Sequence, residues 1–123
     1  MIKNPEAIKQ IIDFSDLECG ATDIDGLIES TRKSTVIILE YKYENAKLPK
    51  GQKIALTEIT KALKKTYRKA YVLLCSHHVG IAQLPIAAGA AVVTAYYDGN
   101  ENENWVKLEE QTTVKQFVDW LLR

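Results

Sequence analysis

Ala70–Ser76 reads Ala-Tyr-Val-Leu-Leu-Cys-Ser, a continuous apolar run without a charge. A strand of this kind has no face to give to water, so it must be covered on both sides. That requirement selects a layered α/β architecture with helices on the faces of a sheet. The chain has 123 residues, a length that buries roughly two-thirds of the unfolded surface and supports one core. Residues 1–123 are therefore expected to form a single domain.

The rest of the sequence supplies the elements for such a sheet. Pro5 to Phe14 reads as a first helix, with Ile8, Ile11 and Ile12 on one side and Pro5 in its first turn. Ala21–Glu29 and Thr35–Tyr43 read as two strands joined by the short polar segment Thr31-Arg32-Lys33-Ser34, a hairpin. Asn45–Gly51 is a loop containing Pro49, and Gln52 to about Tyr67 is a helix with Ala55, Leu56, Ile59, Ala62 and Leu63 as its core stripe. Ala90–Tyr97 and Trp105–Leu108 are further strands around a polar turn at Asp98–Asn104. Thr112 or Thr113 caps a last helix with an apolar face of Val114, Phe117, Val118, Leu121 and Leu122. The expected fold is a mixed-sheet α/β domain.

Sixteen Lys and Arg balance sixteen Asp and Glu, which argues against an evenly basic nucleic-acid binder. The balance is not local. Residues 1–31 carry two bases and seven acids, residues 32–69 eleven bases and three acids, and residues 70–123 three bases and six acids. A basic middle segment thus sits between acidic flanks. Two cysteines, Cys19 and Cys75, make neither a disulfide framework nor a zinc motif. Reduced thiols, no signal peptide and no apolar run long enough to span a bilayer point to a soluble, cytoplasmic protein without membrane contact.

The hairpin concentrates the chemistry. If it turns about the Arg32–Lys33 bond, Asp25 faces Glu40 and Asp23 faces Lys42 on one side of the sheet. The same register puts Ile24, Ile28, Ile37, Leu39, Tyr41 and Tyr43 on the opposite, apolar face. Opposed carboxylates with β-carbons ~5 Å apart repel unless a cation lies between them. Mg²⁺ meets that need, since it takes one or two carboxylates and completes its shell with water and substrate phosphate. Lys42 points to the same side and can neutralise an oxyanion or orient a water. Solvent-facing charges of an amphipathic hairpin would be the plainer reading of each residue alone; their convergence in one register inside apolar strands favours chemistry.

Asp25-Gly26-Leu27 followed at hairpin distance by Glu40-Tyr41-Lys42 resembles the PD-(D/E)XK superfamily of restriction-endonuclease-like nucleases. The resemblance covers roughly residues 5–77, an αβββαβ core with an Asp on one strand and Asp/Glu-x-Lys on the next. It implies that Asp25, Glu40 and the Tyr41 backbone carbonyl hold Mg²⁺ or Mn²⁺. Lys42 and the metal would activate a water for in-line attack on a phosphodiester, with Gln52 positioning the phosphate or the water. An acidic residue on the first helix also serves many members, and Glu6 is the candidate by position, with Glu18 behind it. The proline that precedes the first Asp in the family is replaced by Ile24, and Asp23 is an alternative ligand to Asp25.

Lys50, Lys53, Lys61, Lys64 and Arg68 recur at helical spacing around Thr57 and suggest one basic face that tracks a nucleic-acid backbone, against the alternative of an ordinary solvated helix face. Arg32 and Lys33 at the hairpin tip would extend it. His77-His78 lie at a strand end, where neighbours point to opposite faces and do not share a metal. Cys75 and His77 suggest a thiol hydrolase, although an apolar run is a poor site for a reactive thiol. Tyr96, Tyr97, Trp105 and Trp120 read as core or subunit-contact residues. The leading expectation is a Mg²⁺-dependent endo- or exodeoxyribonuclease of structure-specific or resolvase type. So small a domain would act on DNA as a homodimer or with a larger protein partner. The second expectation is a non-catalytic nucleic-acid-binding or assembly subunit with the same fold.

Overall fold

A computed structural model describes residues 24–44, 46–78 and 87–123. Five strands, β1 (Gly26–Ser30), β2 (Thr35–Tyr43), β3 (Lys69–His77), β4 (Val92–Tyr97) and β5 (Val106–Thr113), form one mixed sheet in the order β1-β2-β3-β4-β5. Helix α1 (Lys50–Lys64) connects β2 to the parallel β3, and α2 (Val114–Leu121) ends the chain. All other neighbouring strands are antiparallel. The domain is thus α/β with a mixed sheet. The expected first helix at Pro5–Phe14, and Glu6, Glu18, Cys19 and Asp23, lie outside the described residues.

Strand alternation divides the core in two. Ile37, Leu39, Leu73, Cys75, Ala91 and Val93 pack on one face against Val114, Phe117 and Leu121 of α2. Ile38, Val72 and Tyr97 pack on the other against Leu56 of α1. β3 is therefore covered on both sides, as its apolar run requires. Among the described residues no helix is long and apolar enough to cross a membrane.

Several boundaries differ from expectation. Strand β1 begins at Gly26, leaving Ile24 and Asp25 before it, while residues 21–23 of the expected strand lie outside the described residues. Residues Ala88–Ala90 form a short 3-10 turn instead of the start of β4. β5 runs on from Val106 to Thr113, mostly exposed, and its charged and amide side chains are those of a guarded sheet edge rather than of an apolar strand. Helix α1 occupies Lys50–Lys64 and stops short of Tyr67. The chain turns there because Lys64 Nζ donates to the Arg68 carbonyl at 2.6 Å and Lys69 N donates to Ser34 O at 3.0 Å, which starts β3 beside β2. Gly99 closes the β4–β5 turn over this helix end with φ +81°, and a β-carbon there would stand 2.9 Å from Lys64 Cβ.

The core stripe of α1 is also rolled. Thr57 and Thr60 are buried with Leu56, whereas Ile59 and Ala62 are exposed. Both hydroxyls donate to the carbonyl four residues back, Thr57 to Lys53 and Thr60 to Leu56, each at 2.7 Å. A threonine satisfied in this way buries its methyl without leaving a polar atom unpaired. Ile24 and Tyr43, expected on the apolar face, lie at the strand ends beyond the cover and are exposed.

Candidate active site

The hairpin register is the one the turn about Arg32–Lys33 requires: Gly26 pairs with Leu39, Ile28 with Ile37 and Ser30 with Thr35. One step beyond Gly26, Asp25 therefore comes level with Glu40. Its Oδ2 accepts a 2.8 Å hydrogen bond from Tyr41 N. A strand residue directs its N–H and C=O to the same edge, so the Tyr41 carbonyl also faces the side where Asp25 sits.

Glu40 lies on the α1 face and is buried, at 3% exposure. Its Oε1 is 3.3 Å from Lys42 Nζ, and Oε2 is buried without a hydrogen-bond partner. Burial raises its pKa above the ordinary carboxylate value, and the Asp25 charge raises it further; Gln52 and Lys42 pull the other way. Lys42 Nζ also donates to Gln52 Oε1 at 3.1 Å. Gln52 is in the first turn of α1, so the crossover that makes β2 and β3 parallel also brings the helix start over Glu40 and Lys42. Asp25, Glu40, Lys42 and Gln52 thus meet across three elements.

An unpartnered buried carboxylate oxygen beside a second carboxylate is costly, and a small divalent cation is the group that relieves it. Asp25, Glu40 and the Tyr41 carbonyl have the oxygen-only chemistry that Mg²⁺ or Mn²⁺ prefers. No group of three or more His, Cys, Asp or Glu side chains with metal-holding geometry occurs among the described residues.

The basic stripe is less uniform than its spacing suggests. Arg68 stands beyond the end of α1 in the turn to β3 and is not on the helix face. Lys61 is engaged by Glu103 at 2.7 Å and Glu58 at 3.8 Å. Lys64 is bound to the Arg68 carbonyl. Thr57 is no surface gap in the stripe, since its Oγ1 accepts from Trp105 Nε1 at 3.0 Å. Lys50 and Lys53 remain near the candidate site, at the start of the helix that carries Gln52.

Cys75 is fully buried on the α2 face, donates to the Leu73 carbonyl at 3.5 Å and has its thiol pushed up to about 12 by burial. Such a thiol is not a nucleophile at neutral pH, which removes the support for a Cys75–His77 hydrolase. His77 meets the Tyr43 ring edge-on with centroids 5.6 Å apart. Tyr97 is core, as expected, while Trp120 is exposed and lies against Phe117.

Sequence reasoning missed Lys47, Trp105 and Lys107, which flank a cleft beside Lys42. The alternation of Trp105 and Lys107 along the approach to β5 was the available signal, because i and i+2 share a face. Comparison of the chain with protein-family models, with curated proteins and with solved structures returned no match.

Proposed function

We propose that the protein is a metal-dependent nuclease that hydrolyses DNA phosphodiester bonds, with a restriction-endonuclease-like core of which β1, β2, α1 and β3 are the described part. The observation that carries this reading is Glu40 Oε2, a buried carboxylate oxygen with no partner, level with Asp25 and in reach of Lys42. Asp25, Glu40 and the Tyr41 carbonyl would hold Mg²⁺ or Mn²⁺. A bound metal would supply positive charge that lowers the pKa of water and stabilises the attacked phosphate. Lys42 holds its ammonium beside Glu40, where it can orient the attacking water and neutralise charge developing on the phosphate oxygens. Gln52 fixes that ammonium through Oε1, and its side chain also hydrogen-bonds Glu40, so it ties the two catalytic groups together. Glu6 remains the proposed first-helix carboxylate.

The test incubates the purified protein with supercoiled, linear, single-stranded and branched DNA in Mg²⁺, Mn²⁺ or EDTA, beside Glu40→Ala and Lys42→Ala. Cutting should require metal and fall at least about 100-fold in both variants, the scale of losing one charge-stabilising group. Cutting in EDTA, or equal cutting by the variants, would overturn the reading. The second reading is a nucleic-acid-binding or assembly subunit with the same fold, and binding without cutting in any metal would establish it. A homodimer or a larger partner is proposed for either role, given the small surface of the domain.

A further inference from the structure

Next to Lys42 a cleft of about 700 Å³ opens between the start of α1 and strands β3 to β5. That volume is typical of small-ligand sites. Its floor is apolar, with Leu48, Leu74 and Ala95, and Trp105 forms a wall. Four ammonium groups surround it: Lys42, Lys47, Lys53 and Lys107. The opposing charge is Glu44, whose carboxylate is engaged by the Tyr43 hydroxyl. Among the described residues, Lys47 and Lys107 have no ion-pair or hydrogen-bond partner. An occupant must therefore combine a flat apolar part with negative charge.

The indole is fixed before anything binds. Tyr97 stacks on Trp105 at 5.7 Å between centroids with planes 16° apart, and Thr57 Oγ1 accepts from Nε1. The Lys53 ammonium stands 5.6 Å from the indole centroid. A long flexible side chain can move from there to a phosphate while a planar group takes its place. At the mouth, Glu44 has φ +51° and is pinned to β3 through its N–H to the His77 carbonyl at 2.5 Å and its carbonyl to Ser76 Oγ. These constraints order the indole platform and Glu44 at the mouth, which lowers the entropy lost on binding.

We propose that the cleft seats one unpaired nucleotide of the DNA strand, its base on the Trp105 indole and its phosphates among Lys47, Lys53 and Lys107. A base inside a duplex is stacked on both faces and cannot enter such a cleft without leaving the stack. The site would thus give the protein a preference for single-stranded, bulged or branched DNA over intact duplex. This deepens the proposed function and rests on its nucleic-acid reading.

Fluorescence anisotropy in Ca²⁺ tests it, with one oligonucleotide presented as a single strand, as a blunt duplex and as a duplex with one unpaired nucleotide. The single strand and the bulged duplex should bind at least about ten-fold tighter than the blunt duplex. Lys47→Ala/Lys107→Ala, both at exposed positions, should lose at least about ten-fold on the single strand and shallow its log–log salt slope by about 1.4. Lys115→Ala, on the far helix, should bind like the wild type. In a Trp120→Phe background, Trp105 fluorescence should be quenched by the single strand and not by the duplex.

Equal affinity for single strand and duplex, wild-type binding by the double variant, or unquenched Trp105 would each overturn the proposal. So would free deoxyadenosine monophosphate binding as tightly as the oligonucleotide. Failure here with metal-dependent cutting intact leaves the nuclease reading standing. Cleft-dependent single-strand binding without cutting leaves the cleft standing and removes the nuclease.

Discussion

The two faces of the sheet are built from the same strands and do opposite work. The α2 face is apolar and aromatic, with Phe117 in contact with Tyr71, Tyr96 and Trp120 over the larger of the two clusters buried among the described residues. The α1 face has a smaller apolar cluster, and buries Glu40, Thr57, Thr60 and Ser76. One β2 sequence feeds both, because Ile37, Leu39 and Tyr41 alternate with Ile38, Glu40 and Lys42. Packing on one side can hold the backbone still while the other side keeps a buried carboxylate with one oxygen unpartnered, at a cost in stability. The account gives stability to the α2 face and chemistry to the α1 face.

The largest expected effect lies on the α2 face. Phe117→Ala removes a buried ring from the centre of the aromatic group and should cost about 3–5 kcal/mol in urea denaturation. Its activity per folded molecule should stay near wild type; a selective loss of activity at full stability would break the division of labour.

Glu40→Gln should show the opposite pattern. A raised pKa means the fold favours protonated Glu40, so its contribution to stability is fully present below about 4.5, the ordinary value, and is lost as pH rises through the folded-state pKa. At pH 7 in EDTA the Gln variant should therefore be no less stable than wild type. Below pH 4.5 the difference should vanish. A large destabilisation at pH 7 would mean that the Glu40–Lys42 contact holds the fold together.

The helix starts give the smallest contrast. Thr113 caps α2 with a full capping box, its Oγ1 accepting from Gln116 N at 3.2 Å and its N–H donating to Gln116 Oε1 at 2.9 Å. Helix α1 has Pro49 at its N-cap position and no side-chain cap. Thr113→Ala should cost about 1 kcal/mol by thermal denaturation, with no effect on metal-dependent cutting.

Much of this contrast is legible in the sequence, for local reasons. Thr35–Tyr43 is read correctly as β2, because β-branched alternation beside a four-residue turn leaves one register that buries a consistent face. The same register brings Asp25 level with Glu40. What could not be read depends on contacts between distant segments. The roll of α1 follows from threonine hydroxyls that bond back to their own helix, so residues that look polar go inside. The stripe of lysines looks continuous in sequence, yet Glu103, far along the chain, takes Lys61. The cleft is assembled from strands β2 to β5, the loop after β2 and the start of α1, and no local pattern encodes its lysines as a group.

Calorimetric titration of the protein with Mn²⁺, beside Asp25→Asn and Glu40→Gln, tests the central claim most directly. The account predicts saturable binding by the wild type that is lost or weakened at least about ten-fold in each variant, as expected when a hard cation loses one of two charged ligands. Absence of binding by the wild type, or equal binding by all three proteins, would contradict it.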